Sequence, residues 1–256
     1  MKTICIINLK GGVGKTITAV NMAVMLADRG YRVLLTDADP QHNSSDFFGV
    51  TDDNNGTILA LMEGYAEYWP DFVTRTGIEG LDIIPSEISL IEKDIAAIMG
   101  CTCDTGVLRG FCETLEEDNA YDFHIIDCPP SFTAASVAAV LASDEIIIPV
   151  LIDAFAFSGL RELTAQIRGL QKIRPDIKIA GALITMWHNA DVVVQGEALL
   201  RSAGIPVFDT IIRRTDKIGE STFAQQAIHR YSKTSSASRD YKAFLDEYLG
   251  GEKRGL

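Results

Sequence analysis

Short apolar runs alternate along the chain with segments whose apolar positions recur at three- and four-residue spacing, the pattern of buried strands exchanging with amphipathic helices. The runs predict strands over 4–9, 32–36, 81–85, 123–126, 145–150, 179–185 and 207–212. Helical spacing predicts helices over 15–29, 57–63, 88–99, 105–117, 159–173, 192–202 and 238–249. The first helix stacks Ala19, Met22, Ala23 and Leu26 on one face; the last stacks Tyr241, Phe244, Leu245, Tyr248 and Leu249 opposite a mixed-charge face. Repeated strand and helix of this kind imply an α/β fold, a mostly parallel β-sheet of about seven strands with helices on both faces. The stretch 42–80 carries the weakest pattern. Asn54, Asn55 and Gly56 predict a turn there, and Tyr65, Tyr68, Trp69 and Phe72 an aromatic cluster used for packing. No linker breaks the alternation, so residues 1–256 are expected to form a single domain.

The chemistry starts where the first strand stops. After Leu9 the chain runs KGGVGKT, in which Gly11, Gly12 and Gly14 let the backbone turn its N–H groups inward on an anion. Val13 sits among them, and Lys15, Thr16 and Ile17 open the helix, whose dipole favours phosphate. Lys15 is placed for the outer phosphates and Thr16 for Mg²⁺, as in GxxxxGK[ST] loops. Leu9 stands where that pattern wants glycine, and a second lysine, Lys10, precedes the glycines.

Two further strands end in carboxylates, at the sheet edge where ligands of open parallel sheets bind. The first delivers DADPQ: Asp37 is placed to orient Mg²⁺-bound water and Asp39 to position a water at the γ-phosphate. The second delivers Asp127, Cys128, Pro129 and Pro130, with Asp127 placed to hold Mg²⁺ through water. His124 lies inside that strand and is read as a packed imidazole, while His42, His188 and His229 are scattered. Cys101 and Cys103 with Cys112 lack a fourth metal ligand and are read as structural or incidental thiols.

Charge changes the picture in one respect. The net −12 is uneven: residues 1–150 hold 8 Lys and Arg against 23 Asp and Glu, whereas residues 151–256 hold 15 against 12. The second half is therefore the candidate for a polyanion-facing surface. No apolar run approaches the roughly 18 residues of a spanning helix, and the N-terminus enters the first strand directly, so a cytoplasmic protein is expected. Five cysteines, an odd number, argue for reduced thiols.

KGGVGKT with its extra lysine, DADPQ, IIDCPPS and EIIIPV, in this order over nearly the whole chain, resemble the ParA/Soj group of DNA-partitioning ATPases. That group falls in the deviant Walker-A, MinD-like class of P-loop NTPases. The resemblance implies a slow, partner-stimulated ATPase using ATP and Mg²⁺, which forms a homodimer on ATP binding. Lys10 would be the signature lysine reaching the partner's phosphates, Lys15 and Thr16 the loop lysine and magnesium ligand, Asp39 the residue needed for hydrolysis, and Asp127 the second magnesium carboxylate. Non-specific double-stranded DNA, a ParB-like centromere-binding protein and a nucleoid location are also implied. Candidate DNA contacts are Lys172, Arg174, Arg201, Arg213, Arg214, Lys217, Arg230 and Lys233. Base contacts are expected at Ile212, Arg213 and Arg214, where IRRT replaces an IPRN-like element. Other departures are Ile17 for a second threonine and Leu9 for glutamine. No NKxD motif is present, so adenine specificity rests on the resemblance, and no N-terminal helix-turn-helix extension precedes the first strand, so operator binding is not expected. Two alternatives share the motifs. A MinD-like membrane-positioning ATPase would need a basic amphipathic tail, where this chain has GGEKRGL after a mixed-charge helix; an iron-protein-like electron-transfer ATPase would need cluster cysteines.

Overall fold

A computed structural model describes residues 1–50, 56–64, 68–99 and 104–250. Eight strands form one sheet: β1 (Lys2–Ile6), β2 (Val33–Asp37), β3 (Thr74–Ile78), β4 (Leu81–Ile84), β5 (Phe123–Asp127), β6 (Glu145–Leu151), β7 (Lys178–Trp187) and β8 (Val207–Arg213). Their order is β3-β4-β2-β5-β1-β6-β7-β8. Every neighbouring pair is parallel except β3 with β4. The central strands read as near-continuous apolar runs because both of their faces are covered.

The helices are α1 (Lys15–Asp28), α2 (Asn43–Phe47), α3 (Ile58–Met62), α4 (Ile91–Ile98), α5 (Val107–Glu117), α6 (Ala134–Ala142), α7 (Ala156–Leu170), α8 (Asp191–Arg201), α9 (Lys217–Phe223), α10 (Ile228–Tyr231) and α11 (Ser236–Tyr248). Alternate strand residues feed two cores. On one face Ile4, Ile6, Leu35 and Ile125 pack with Met22 and Leu26 of α1 and with Tyr241, Phe244 and Leu245 of α11. On the other, Cys5, Ile7, Leu34 and Ile126 pack under residues of α5, α6, α7 and α8.

Three expectations change. The sheet has eight strands, not about seven, because β3 at its edge alternates half-buried with exposed positions in TRTGI and forms no apolar run. Helix α6 escapes the periodicity because AASVAAVLA is apolar on every side, as suits a helix packed on several faces; Thr133 caps it, accepting from the Ser136 amide at 3.1 Å. The aromatic cluster divides: Phe72 meets Phe111 at 6.5 Å and Trp69 meets Tyr121 at 5.9 Å, while Tyr68 is exposed. Asn54, Asn55, Tyr65, Cys101, Cys103 and the segment 251–256 lie outside the described residues.

His124 is fully buried in β5. Its Nε2 lies 2.7 Å from the Thr36 hydroxyl and its Nδ1 3.4 Å from the Cys112 thiol. Burial pushes its pKa down to about 3. A histidine kept neutral in the fold contributes stability above its unfolded pKa near 6.5 and loses it as pH falls, because only the unfolded chain then takes up the proton. Comparing the urea stability of His124→Gln with that of the parent at about pH 7.5 and 5.5 checks this. The parent's advantage should shrink by about 1 kcal/mol at the lower pH; an equal difference at both would mean that the folded imidazole accepts a proton.

Candidate nucleotide-binding site

The turn from β1 into α1 is built around two left-handed glycines, Gly12 at φ 72° and Gly14 at φ 88°. Any side chain is strained at such angles. The loop is pinned from behind: Thr185 at the end of β7 donates to the Val13 carbonyl at 2.8 Å, and Val13 is buried. Helix α1 then starts at Lys15 with no side chain capping its N-terminus and no acidic residue in its first turn. Its first N–H groups and its dipole are left for an anion. The Lys15 ammonium reaches back to the Lys10 carbonyl at 3.1 Å, closing the loop on itself. Burial lowers the Lys15 pKa, opposed by the charges of Asp127 and Asp39.

Beneath the loop Asp37 and Asp127 are register partners on β2 and β5. Both are fully buried. Desolvation raises both pKa values; the Asp37 charge raises Asp127 further, and the Asp39 charge raises Asp37. Their surroundings then separate their roles. Asp37 accepts from the Ser45 amide and hydroxyl, both at 2.8 Å, and from the Asp39 amide at 3.2 Å. Asp37 thereby fastens residues 39–45 against the end of β2. Asp127 accepts from Ser44 at 2.7 Å on one oxygen, while its Oδ1 is buried without a partner. An orphaned carboxylate oxygen near the Thr16 hydroxyl is a hard-donor set suited to Mg²⁺ or to a water on it.

A cleft of about 540 Å³ opens over the loop, lined by Gly11, Gly12, Gly14, Lys15, Thr16, Ile17, Asp39, Gln41 and Pro130 among others. A second hollow of about 290 Å³ adjoins it at Gly14, Ile17 and Met186 and is lined by Ile212, Arg214, Thr215, Ile218 and Tyr241. The first is floored by the glycine loop, Lys15 and Thr16, which suit phosphates, and the second by Ile212, Ile218 and Tyr241, which suit a planar base. Arg213 is absent from the second hollow because its guanidinium is taken by Asp240 of α11, with contacts of 2.6 to 3.2 Å. Sequence reasoning also missed Met186 and Gln225, which line the first cleft and hold left-handed backbones at φ 51°. Such angles in long side chains mark functional turns but leave no trace in periodicity.

Lys10 does not line its own cleft. Its ammonium is paired with Asp153, at the turn between β6 and α7, and the Lys10 amide donates to Asn8 at 3.0 Å. The Lys10 pairing holds the Asp153 carboxyl below its ordinary pKa.

Ion pairing also divides the set of DNA candidates. Arg174 is buried among Asp144, Asp176 and the Leu141 and Ser143 carbonyls. Arg201 is paired with Glu197, Arg213 with Asp240, Lys217 with Glu220 and Arg230 with Asp28. These five cations are neutralised by neighbours, which the overall charge balance could not reveal. Lys172, Arg214 and Lys233 have no side-chain partner among the described residues.

A family model described as an AAA domain matches residues 1–179. The chromosome partitioning protein ParA of Caulobacter vibrioides (strain NA1000 / CB15N) is 31% identical, covering 99% of this chain and 96% of its own. The sporulation initiation inhibitor protein Soj of Bacillus subtilis (strain 168) is 33% identical, covering 94% and 95%. Among solved structures, a cobyrinic acid a,c-diamide synthase from Mycobacterium smegmatis with bound ATP analogue and magnesium superposes with a TM-score of 0.83 at 26% identity, covering 99% and 97%. A continuous match across both the phosphate loop and the carboxylate-ended strands leaves one placement: the chain belongs to the ParA/Soj family of partitioning ATPases.

Proposed function

We propose that this chain is a single-domain ATPase that acts as a nucleotide-gated dimer in DNA partitioning, holding non-specific DNA while ATP is bound and releasing it after hydrolysis. The observation that carries this reading is the division of labour between two lysines on one loop. Lys15 lines the cleft, whereas Lys10 stands outside it on Asp153. A loop that served one subunit would need only Lys15. A second cation half-exposed at the rim is suited to the phosphates of a facing copy, where a charge delivered in trans accelerates phosphoryl transfer by about 10³ to 10⁵ in the arginine-finger case. Lys10 must leave Asp153 to do so, which makes the pairing a resting position.

Thr16 in the cleft and Asp127 beneath it would hold Mg²⁺, which would neutralise charge developing on the phosphates. Asp39, mostly buried at the cleft wall with one oxygen held by the Gln41 amide at 2.9 Å, orients the attacking water. Ile212, Arg214 and Tyr241 enclose the base. A ParB-like protein bound to the cargo DNA stimulates turnover, and the ATP-bound form resides on the nucleoid in the cytoplasm. Among the described residues no helix is long and apolar enough to cross a membrane.

Two measurements test this reading. In sedimentation with ATP and Mg²⁺, Lys10→Ala should remain monomeric and retain nucleotide binding, with hydrolysis and DNA retention reduced at least about tenfold; a variant indistinguishable from the parent would remove the trans-lysine mechanism. For the DNA face, Lys172→Glu with Lys233→Glu should weaken DNA retention. It should also flatten the dependence of log K on log salt by about 1 per lost phosphate contact. Glu at the paired Lys217 should change that slope less, and an unchanged slope in the double variant would locate DNA elsewhere.

A further inference from the structure

The segment that follows β4 presents its apolar side to solvent. Leu90 turns inward and is buried, but Ile88, Ile91, Ile95 and Met99, spaced three and four residues apart on one stripe, are 48 to 78% exposed. Contiguous exposed apolar stripes are uncommon on soluble monomers and mark contact surfaces. The stripe lies just past the carboxyl end of β4, at the edge of the sheet that carries the phosphate loop.

Both ends of this segment are tied to the nucleotide site. At its start the Ser86 amide donates to the Ser45 hydroxyl at 3.0 Å, and Ser45 in turn donates to Asp37. Further along, Asp94 on α4 accepts from the Ala134 amide at 2.9 Å. Ala134 closes the loop that begins at Asp127 and places Pro130 against the phosphate cleft. The stripe therefore hangs between Ser45, on the Asp37 side of the site, and the loop that runs from Asp127 to Ala134.

We infer that Ile88, Ile91, Ile95 and Met99 are the apolar part of the contact with a second copy of this chain, set in position by nucleotide through Ser86 and Asp94. The inference rests on the dimer reading above and names the surface that reading lacks. Three observations select this occupant. Lys10 can reach another copy's phosphates only if the two carboxyl edges face each other, which covers any surface beside the loop. The rim is not basic: Glu92 is exposed, and Lys93, the one basic residue of α4, is paired with Glu63 at 3.2 Å. That charge disfavours DNA and anionic lipid but not a like stripe related by a two-fold axis. Finally, one lysine and a shared nucleotide bury too little surface, because stable interfaces cover about 800 Å² on each partner.

The test is sedimentation with ATP and Mg²⁺, alongside binding of a fluorescent ATP analogue as a control for folding. Ile91→Asp with Ile95→Asp should raise the dimer dissociation constant by at least about tenfold, as loss of central interface residues does, with ATP affinity within about threefold of the parent. Ile91→Leu with Ile95→Leu should dimerise like the parent. Asp94→Ala should bind ATP and dimerise with a weaker dependence on it. An aspartate double variant that dimerises normally, or one that loses ATP binding together with dimerisation, overturns the stripe as a partner surface and leaves the lysine mechanism standing. A parent chain that stays monomeric with ATP overturns the dimer reading itself.

Discussion

Two carboxylates placed side by side at zero exposure are the constraint around which the site is arranged. Parallel pairing of β2 with β5 brings Asp37 and Asp127 to the same level at the sheet edge, where neither has water to screen it. Everything nearby answers that charge. Ser45 and the Asp39 amide solvate Asp37, Ser44 solvates half of Asp127, and the Asp127 charge opposes the fall that burial imposes on the Lys15 pKa. The remaining Asp127 oxygen has no protein donor. Stabilising one arrangement of loop, lysine and paired acids thus leaves a defined deficit of positive charge, which a divalent cation satisfies.

The site was legible to the extent that its residues are local in sequence. KGGVGKT specifies a turn, a helix start and two lysines within seven positions, and the structure puts Gly11, Gly12, Gly14, Lys15, Thr16 and Ile17 around one cleft. Strand ends were equally readable, because an apolar run that stops at aspartate leaves few places for the carboxylate. Asp37 shows the limit. Its position followed from the pattern, but its hydrogen bonds depended on Ser45, eight residues on in a helix of five residues, too short to show a periodicity.

What could not be read was what depends on distant pairing. Arg213 and Asp240 are far apart in sequence, and only the docking of α11 against β8 makes them partners. The same is true of Lys10 and Asp153, and of Arg174 with Asp144. Fold elements failed for a related reason: β3 is an edge strand and α6 is apolar on all sides, and both lack the contrast between faces on which periodicity depends.

The place of β1 in the sheet has a consequence for how the protein is made. This strand carries the phosphate loop, yet its neighbours are Phe123–Asp127 on one side and Glu145–Ile147 on the other. On a ribosome the loop emerges before either flanking strand, and its own strand has nothing to pair with until residues 123–147 follow. Long-range parallel pairing of this kind is slow, and it exposes an apolar strand in the meantime. Tyr241, which lines the base hollow and meets Thr18 at 3.2 Å, arrives later still. The phosphate side of the site is thus walled by earlier elements, whereas the base hollow closes only when α11 docks and brings Tyr241 against Thr18.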